Sequence, residues 1–283
     1  MKTLREYVDE AVQKKVAIGH FNISDSEGFK AVVESAKELK VPVIIGVSEG
    51  ERDFIGVDEV RAMVDAERFK EYPIFLNADH TYSVEKVKEA VDAGFDSVII
   101  DGANLSFEEN VKLTKEAVIY AKLKNPDILV EAELGFIGQS SKIIDKVPDG
   151  VSVETETKPE DAEKFINETG IDMFAPSVGN IHGMVKTGEP KLNIELIKAI
   201  HEKIKIPLVL HGASGNSDAD IVAAIDAGIS IVHINTEIRL AYKHGVEEGV
   251  KIDEAAPYKF MAEGVEKMKK VVTAKLKLFN KIS

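Results

Sequence analysis

Short apolar runs, most of them rich in β-branched residues, alternate with longer amphipathic segments along the chain. Segments such as SEGFKAVVESAKELK and SVEKVKEAVDAGF have the apolar spacing of helices, and the runs between them have the length of buried strands. Eight strands are predicted: VAIG at 16–19, VIIGV at 43–47, IFLNA at 74–78, SVIID at 97–101, ILVEAE at 128–133, DMFAPS at 172–177, LVLH at 208–211 and ISIVHI at 229–234.

This alternation predicts a parallel sheet made of repeated βα units, and eight such units close into a (β/α)8 barrel, the TIM barrel. Ser83 is a predicted helix N-cap, and Gly94, Gly170 and Gly228 stand where predicted helices end. Linker-like or low-complexity sequence is absent. We therefore expect α/β architecture with a single TIM-barrel domain over residues 1–283.

One connection is much longer than the others. Segment 134–157, LGFIGQSSKIIDKVPDGVSVETET, inserts Gly, Ser, Asp and Pro between the fifth strand and its helix. A long loop on the catalytic rim of a barrel is often a lid, and the alternative is a solvated excursion without a role. The C-terminal MAEGVEKMKKVVTAKLKLF is a predicted amphipathic helix that packs either on the barrel or on a second subunit.

Composition excludes several functional classes. The chain contains no cysteine, so disulfides and thiolate ligands are excluded, and a firm metal site must use His, Asp or Glu. A net charge of −13 argues against binding to DNA or RNA. No apolar stretch approaches the roughly 20 residues that span a membrane. The charged N-terminus MKTLREYVDEAVQKK lacks the apolar region of a secretory signal, so we expect a cytoplasmic protein.

Polar residues accumulate where the predicted strands end. They are Asn22, Ser48, Asp79, His80, Asp101, Glu133, His182, His211, His233, Asn235 and Thr236. A parallel barrel gathers the carboxyl ends of its strands at one mouth, where imidazoles can share a metal ion that polarises a carbonyl and stabilises an enolate. A lone histidine at a strand end is more often an ordinary hydrogen-bonded residue, but the joint placement favours a metal site. His20 is ambiguous, whereas His201 and His244 are expected at the surface.

The segments HGASGNSD and NTEIR follow the last two predicted strands. Loops in this position frequently bind phosphate through backbone N–H groups and hydroxyls. The candidates are Gly183, Gly212, Ser214 and Thr236, and Lys186 is either an electrostatic contact near these loops or a solvated rim lysine.

Several phrases, taken in order, resemble the class II, metal-dependent ketose-bisphosphate aldolases, which include fructose-bisphosphate and tagatose-bisphosphate aldolases. The phrases are GHFNIS, VSEGE, NADHTYS, SVIIDGANLSFEENVKLTKE, VEAELGFIG, VGNIHGMVKTGEP, LVLHGASG and INTE. The resemblance implies zinc-dependent cleavage of a ketose 1,6-bisphosphate, by default fructose 1,6-bisphosphate, to dihydroxyacetone phosphate and glyceraldehyde 3-phosphate. The alternatives are an aldolase for tagatose 1,6-bisphosphate or another phosphorylated sugar, and a non-catalytic phosphosugar-binding protein.

The resemblance also implies residue roles. Asp79 matches the acid/base that exchanges a proton with the aldehyde-derived hydroxyl. The implied metal ligands are His80, His182 and His211 for the catalytic zinc, with Asp101 and Glu133 at a second, looser divalent-metal position. The implied substrate contacts are Ser48, Gly183, Gly212, Ala213, Ser214, Asn235 and Thr236, with a monovalent cation, Na⁺ or K⁺, beside the phosphate. The family also suggests a homo-oligomer, either a dimer or a tetramer.

Two positions depart from the family pattern. His233 stands where the family usually has an Asn that orients the enediolate. In the stretch GFIGQSSKIIDK, no carboxylate stands at the position where many family members have one that handles a proton of dihydroxyacetone phosphate. Either Asp145 replaces that carboxylate, or His233 takes over the proton transfer. An imidazole can do so because its unperturbed pKa is about 6.5. We favour His233.

Overall fold

The fold was obtained as a computed structural model, which describes residues 2–138, 142–147, 151–186 and 190–282. Its strands within these ranges are β1 Ile18–Asn22, β2 Val43–Val47, β3 Ile74–Thr81, β4 Ser97–Ile100, β5 Leu129–Leu134, β6 Ile143–Ile144, β7 Met173–Pro176, β8 Met184–Val185, β9 Leu208–Leu210 and β10 Ile229–Ile234. Strands β1, β2, β3, β4, β5, β7, β9 and β10 are neighbours in this order and close into a barrel. All the pairings in the barrel are parallel, which confirms the predicted TIM barrel.

Helices surround the barrel. Those of the described residues are α1 Leu4–Lys14, α2 Ser26–Leu39, α3 Glu49–Ile55, α4 Val57–Arg68, α5 Val84–Asp92, α6 Phe107–Lys124, α7 Pro159–Thr169, α8 Ile194–Lys203, α9 Asp218–Ala227, α10 Thr236–Gly249, α11 Pro257–Phe260 and α12 Ala262–Phe279, with a 3-10 turn at Val153–Thr155. The predicted cap is confirmed at Ser83, whose hydroxyl accepts from Lys86 N. Gly170 and Gly228 are the C-caps of α7 and α9, and Gly94 follows the C-cap of α5.

The barrel interior changes from apolar to polar along its axis. At the amino-terminal end, Leu4, Val8 and Ala11 of α1 pack against inward side chains such as Phe75 and Leu129. Because inward positions recur every second residue, Phe75 is followed in β3 by Asn77 and Asp79, and Leu129 is followed in β5 by Glu131 and Glu133. A hydrophobic plug therefore supports a polar layer, which in turn supports the strand ends at the mouth.

The observed first strand differs from the predicted VAIG at 16–19. It begins at Ile18 and continues through His20 to Asn22, all buried. The polar side chains of His20 and Asn22 can occupy this buried strand because each has a hydrogen-bond partner. Asn77 Nδ2 donates to His20 Nε2 (2.9 Å), and Asn22 Nδ2 donates to Glu51 Oε2 and Asp79 Oδ2 (2.8 Å each).

The predicted lid 134–157 is only partly described, since 139–141 and 148–150 lie outside the described residues. Its described part includes β6, which pairs in parallel with β8 in a separate two-stranded sheet that the sequence did not predict. Because β8 closely follows His182, the insertion is joined to the rim of the barrel.

The C-terminal helix α12 packs on the barrel, the first of its two predicted places. Leu276 and Phe279 are fully buried, and Ala17 N donates to Phe279 O (3.0 Å), so α12 is fastened to the start of β1. Within the part of the chain that the structure describes, no helix combines the length and apolar character required to cross a membrane.

The polar layer can be tested through Gly46, which leaves room for the His20 ring. A Cβ on Gly46 would lie 2.0 Å from His20 Cε1. We expect Gly46→Ala to lower the free energy of unfolding by about 1–3 kcal/mol, as overpacking of a core does. Urea unfolding would measure this loss.

Gly50→Ala is the matched control, because a Cβ there meets nothing within 4 Å. In the double variant Gly46→Ala/His20→Ala, the loss should be smaller than the sum of the two single losses, since the clash is removed. Additive losses would contradict this account of Gly46.

Candidate active site

A break in the β3 register directs two consecutive residues toward the mouth. Pairing with β4 shifts between Ala78 and Thr81, and His80 has a φ of +35°. A regular strand would send Asp79 and His80 to opposite faces, whereas this bulge brings both side chains into the site. The left-handed conformation costs free energy at a non-glycine residue, so neighbouring contacts must stabilise it.

Arg52 of α3 supplies those contacts. Its side chain is 1% exposed, and its Nη1 donates to the carbonyl oxygens of Val47 (2.6 Å) and Asp79 (3.3 Å). Its Nη2 donates to Thr81 Oγ1 (3.2 Å). The guanidinium thus joins the end of β2 to both sides of the bulge and stabilises the backbone that carries Asp79 and His80.

Three predicted ligands converge at the mouth. The ring centroids of His80 lie 4.7 Å from His182 and 5.0 Å from His211, and those of His182 and His211 are 6.0 Å apart. The rings are steeply inclined to one another, with interplanar angles of 70°, 83° and 84°. Together with Glu133, they offer ligand atoms that all lie within 4.8 Å of one another. This nitrogen and oxygen set suits a divalent cation such as zinc.

Carboxylates orient two of these imidazoles. His80 Nδ1 donates to Asp101 Oδ2 (2.8 Å), and His211 Nε2 donates to Glu131 Oε1 (2.7 Å). The remaining ring nitrogens, His80 Nε2 and His211 Nδ1, then face each other at 3.3 Å, where a divalent cation can take the place of a proton. Glu133 Oε2 is buried without a hydrogen-bond partner among the described residues, so it also has an acceptor free for a cation.

Asp101 therefore orients a ligand in the observed arrangement, whereas Glu133 lies in the ligand cluster itself. The two carboxylates that were expected together at a second metal position thus have different surroundings.

The electrostatics of the cluster also favour a cation. Burial, together with the nearby Asp101 carboxylate, raises the pKa of Glu133 to about 8. Burial alone would lower the pKa of His80, but Asp79, Asp101 and Glu133 outweigh it and raise this pKa to about 10. Burial and the neighbouring imidazoles hold the pKa of His182 well below its usual value, so its ring is neutral, as a metal ligand must be.

His233 lies beside Asp79 in a stack of imidazoles. Its ring is nearly parallel to that of His20, with centroids 3.5 Å apart and an interplanar angle of 4°, and its centroid is 4.1 Å from that of His211. His233 Nδ1 faces Asp79 Oδ1 at 3.5 Å, and His233 Nε2 is buried with no partner among the described residues. Parallel rings cannot both direct in-plane lone pairs at one ion, so His20 and His233 do not form a metal site of their own.

Asp79 is an ionised carboxylate in this setting. Burial acts to raise its pKa, but His80, His233 and His20 outweigh burial and hold that pKa well below its usual range. Asn22 Nδ2 donates to Asp79 Oδ2 (2.8 Å), while Asp79 Oδ1 has no hydrogen-bond partner among the described residues. Asp79 is therefore oriented through one oxygen and has the other available.

Two adjoining pockets open beside the imidazoles. The first, called the inner pocket, is lined by Asn22, Asp79, His80, His182, Gly183, His211, Gly212, Ser214, His233, Asn235 and Thr236. Gly212 has a φ of +62°, and a Cβ there would lie 2.3 Å from Ile181 O, so only glycine fits at this wall. The inner pocket contains the predicted phosphate-binding residues.

The second, called the outer pocket, has a volume of about 610 Å³ and is lined by Ser48, Asp79, His80, Tyr82, Asp101, Gly138, His182, Asn235 and Arg239. The two pockets share Asp79, His80, His182 and Asn235. An elongated ligand could thus extend from the glycine loops, past the imidazoles, to Ser48 and Arg239.

Some candidates lie apart from the pockets. Ala213 is buried between lining residues but does not line either pocket. Lys186 pairs with Asp145 (2.5 Å) on the rim, and both side chains are largely exposed, which matches the rim-lysine alternative. His244 is exposed as expected, but His201 is partly buried, because its ring packs against Gly228.

Sequence reasoning missed several groups that shape the site. Glu131 could have been found from its spacing, since it stands two residues before Glu133 in a buried strand and so faces the same side. Arg239 lies in the first turn of α10, three residues after Thr236. Arg52 and Glu51 carry no comparable sequence signal, because their burial depends on where α3 packs.

Comparison with known proteins agrees with this geometry. The family model described as class-II fructose-bisphosphate aldolase matches residues 2–283. Relatives include the fructose-bisphosphate aldolases of Geobacillus stearothermophilus (37% identical over 284 residues) and Staphylococcus aureus strain Mu50 (36% identical over 283 residues), each alignment covering 98% of this chain and 96% of the relative.

Solved structures show the same similarity. The YdjI aldolase from Escherichia coli K12 aligns with a TM-score of 0.84 and 35% identity over 98% of this chain and 96% of its own. Fructose-bisphosphate aldolase from Campylobacter jejuni aligns with a TM-score of 0.75 and 25% identity over 98% of this chain and 94% of its own.

The role of Arg52 can be tested with Arg52→Met. We expect the free energy of unfolding to fall by about 1–3 kcal/mol, because buried acceptors lose their donor. Zinc affinity should fall about 10–100-fold, as it does when groups that orient ligands are removed. Urea unfolding and competition with a chromophoric chelator measure the two effects.

Arg5→Met is the control, because Arg5 pairs with Asp172 far from the mouth and is 44% exposed. A variant of Arg52 that lost stability but kept its full zinc affinity would show that the guanidinium does not position His80.

Proposed function

Because the chain belongs to the class II fructose-bisphosphate aldolase family, we propose that it reversibly cleaves fructose 1,6-bisphosphate to dihydroxyacetone phosphate and glyceraldehyde 3-phosphate. The observation that carries this proposal is the position of three imidazoles and Asp79 where two pockets adjoin. The scissile bond of such a ketose joins the dihydroxyacetone phosphate half to the aldehyde half, which suits two pockets that meet at the imidazoles and Asp79. We take residues 1–283 as one catalytic domain.

We propose zinc as the catalytic cation, held by His80, His182 and His211. The unpaired acceptor of Glu133 and the inward ring nitrogens of His80 and His211 support this fit. When bound, zinc supplies positive charge that stabilises the negative charge developing on the substrate oxygens during cleavage. The remaining chemistry belongs to the residues around the pockets.

The inner pocket binds the phosphate of the dihydroxyacetone half. Gly183 and Gly212 contribute backbone, Ser214 and Thr236 contribute hydroxyls, and α10 begins at Thr236 with its amino terminus in the pocket. Free N–H groups at a helix start favour an anion, which supports this assignment. Asn235 lines both pockets and is placed to contact the substrate between its two ends.

Asp79 acts as the base for cleavage. Its ionised carboxylate accepts the proton of the C4 hydroxyl, the C3–C4 bond breaks, and the electron pair remains on the dihydroxyacetone half. In condensation the same carboxyl returns the proton to the new hydroxyl. The hydrogen bond from Asn22 orients Asp79 and leaves Oδ1 for the substrate.

In cleavage His233 then donates a proton to C3 of the dihydroxyacetone half, which balances the proton that Asp79 has taken from the C4 hydroxyl, and in condensation His233 removes the C3 proton. Three observations support His233 over Asp145: it lines the inner pocket, it lies 3.5 Å from Asp79, and its Nε2 has no partner among the described residues. Asp145, by contrast, pairs with Lys186 on the exposed rim.

The proposal includes two further cations. Asp101 and Glu133 form a second divalent-metal position, and a monovalent cation, Na⁺ or K⁺, accompanies the inner phosphate.

The protein works in the cytoplasm as a dimer or tetramer. Because α12 packs on its own barrel, the exposed aromatic rings of Phe54 (78% exposed) and Phe69 (92%) are better candidates for a subunit contact.

A coupled assay of triose phosphate release tests the activity. We expect zinc-loaded protein to cleave fructose 1,6-bisphosphate and to lose activity on full chelation, with recovery on zinc addition, because the bound cation stabilises the developing charge. Tagatose 1,6-bisphosphate, which differs at one stereocentre, is measured in parallel to decide between the two ketoses.

The alternatives give different results in this assay. Activity that survives complete metal removal would exclude the metal-dependent mechanism. Tight binding of both bisphosphates without release of triose phosphate would instead indicate a non-catalytic phosphosugar-binding protein.

The role of His233 is tested with His233→Asn. We expect kcat to fall by a factor on the order of 10²–10⁴, the usual contribution of general acid–base catalysis. The exchange of the C3 hydrogen of dihydroxyacetone phosphate with deuterated solvent, followed by NMR, should slow in parallel. His244→Asn, an exposed change on α10, and Asp145→Asn are the controls. Unchanged turnover, exchange and pH–rate profile in His233→Asn would refute this role.

A further inference from the structure

A buried carboxylate, that of Glu51, lies behind the outer pocket. Glu51 is 6% exposed and belongs to α3, the helix that follows β2. Its Oε2 accepts hydrogen bonds from Asn22 Nδ2 (2.8 Å), Ser48 N (2.7 Å) and Ser48 Oγ (2.9 Å). Its Oε1 pairs with the guanidinium of Arg239. Four donors therefore satisfy the two oxygens of this buried carboxylate.

These contacts engage two of the groups that the outer pocket could offer to an anion, Ser48 and Arg239. Ser48 donates its hydroxyl proton to Glu51, and Arg239 directs its guanidinium toward the same side chain. Among the described residues that line the outer pocket, Arg239 is the sole lysine or arginine, while Asp79 and Asp101 are acidic. The positive charge of Arg239 is therefore already balanced before a substrate enters.

In the inner pocket, by contrast, the nearby carboxylate does not engage most of the groups that could bind a phosphate. Glu237, which begins α10 beside Thr236, accepts from Gly215 N (3.0 Å) and pairs with Lys275 (3.2 Å), a nearly buried lysine of α12. Its charge is thus compensated from outside the pocket. Among the glycines of these loops, Gly215 donates to Glu237, but the N–H groups of Gly183 and Gly212 are left for a phosphate, whereas Ser48 and Arg239 in the outer pocket are already engaged by Glu51.

A phosphate on the aldehyde half would have to share Arg239 with Glu51. Like charges close to one cation repel, and the phosphate would also face the acidic residues of the outer pocket. An uncharged aldehyde avoids this repulsion and can use Ser48 and Asn235 as polar contacts. The outer pocket therefore binds a second phosphate much more weakly than it would if Arg239 were not paired with Glu51.

We propose that Glu51 is a specificity-determining residue that lets this aldolase accept aldehydes without phosphate about as well as phosphorylated ones. The proposal rests on the proposed aldolase function and adds the chemical class of the acceptor, which is a small polar aldehyde with or without a phosphate group. Glu51 acts through Arg239 and Ser48, and it does not contact the reacting atoms.

The test compares two acceptors for dihydroxyacetone phosphate, glyceraldehyde 3-phosphate and glyceraldehyde, in zinc-loaded protein. For the wild type we expect kcat/KM values within about tenfold of each other, since the gain from one hydrogen bond to a charged group is largely absent. Glu51→Gln keeps the shape and an acceptor for Ser48, but it releases Arg239. It should raise the preference for glyceraldehyde 3-phosphate by about tenfold or more, mainly through KM.

Two further variants isolate the cause. Glu51→Gln/Arg239→Met should lose the gained preference, because the released guanidinium is gone. Glu49→Gln removes a carboxylate of the same helix that accepts from Tyr82 N (2.8 Å) and does not pair with Arg239, so it should leave the preference unchanged. Equal effects of Glu51→Gln on both aldehydes would show that Glu51 acts through Asn22 and Asp79, and would overturn the proposal. A strong wild-type preference for the phosphorylated aldehyde, about 100-fold or more, would overturn it too.

A binding measurement keeps this test separate from the proposed function. Inorganic phosphate titrated calorimetrically into zinc-loaded protein should occupy one site in the wild type and two sites in Glu51→Gln, independently of turnover. A single site in both proteins would overturn the role of Glu51. Absence of condensation with either aldehyde, combined with the expected second phosphate site, would instead refute the aldolase activity.

Discussion

Mutual neutralisation of buried ionisable groups is the constraint on which this site depends. Asp79, Asp101, Glu131 and Glu133 are held among imidazoles at the mouth of the barrel, where water cannot screen their charges. A buried carboxylate without a partner is costly, so Asp79, Asp101 and Glu131 each face an amide or an imidazole, while burial raises the pKa of Glu133 to about 8. The polar mouth tolerates this density because the apolar layer beneath it, with α1, supplies the packing that stabilises the barrel.

The same constraint separates ligands from the groups that orient them. Asp101 and Glu131 each use one ring nitrogen of a histidine, which leaves the other nitrogen facing the centre of the cluster. Arg52 extends the arrangement to the backbone, since it donates to the Asp79 carbonyl oxygen and to the Thr81 hydroxyl on either side of an unfavourable turn at His80. Three sets of residues therefore set the ligand geometry at the mouth: the histidines, the carboxylates that orient them, and Arg52. Only the histidines of these three sets would touch a metal.

Much of this could be predicted from sequence, because strands and their ends have local signatures. Each predicted barrel strand begins and ends within three residues of the observed one, and the candidate ligands His80, His182 and His211 were identified because each lies near the end of a predicted strand. The first strand was placed too early, since His20 and Asn22 look like residues of a loop until their buried partners are known. The short sheet of β6 and β8 was missed because two-residue strands have no periodicity to detect.

The sequence by itself was enough to identify the barrel, the absence of thiolate chemistry and the residues gathered at the mouth, because strand periodicity and residue type are properties of local segments. Tertiary structure alone revealed the pairing of Glu51 with Arg239, the support that Arg52 gives to the bulge, and the stacking of His20 on His233. These contacts join residues that are far apart in the chain, and their energies depend on burial and on distances of a few ångströms. Such quantities exist only after the strands have closed, which is why the preferences of the two pockets could not be predicted from the order of the residues.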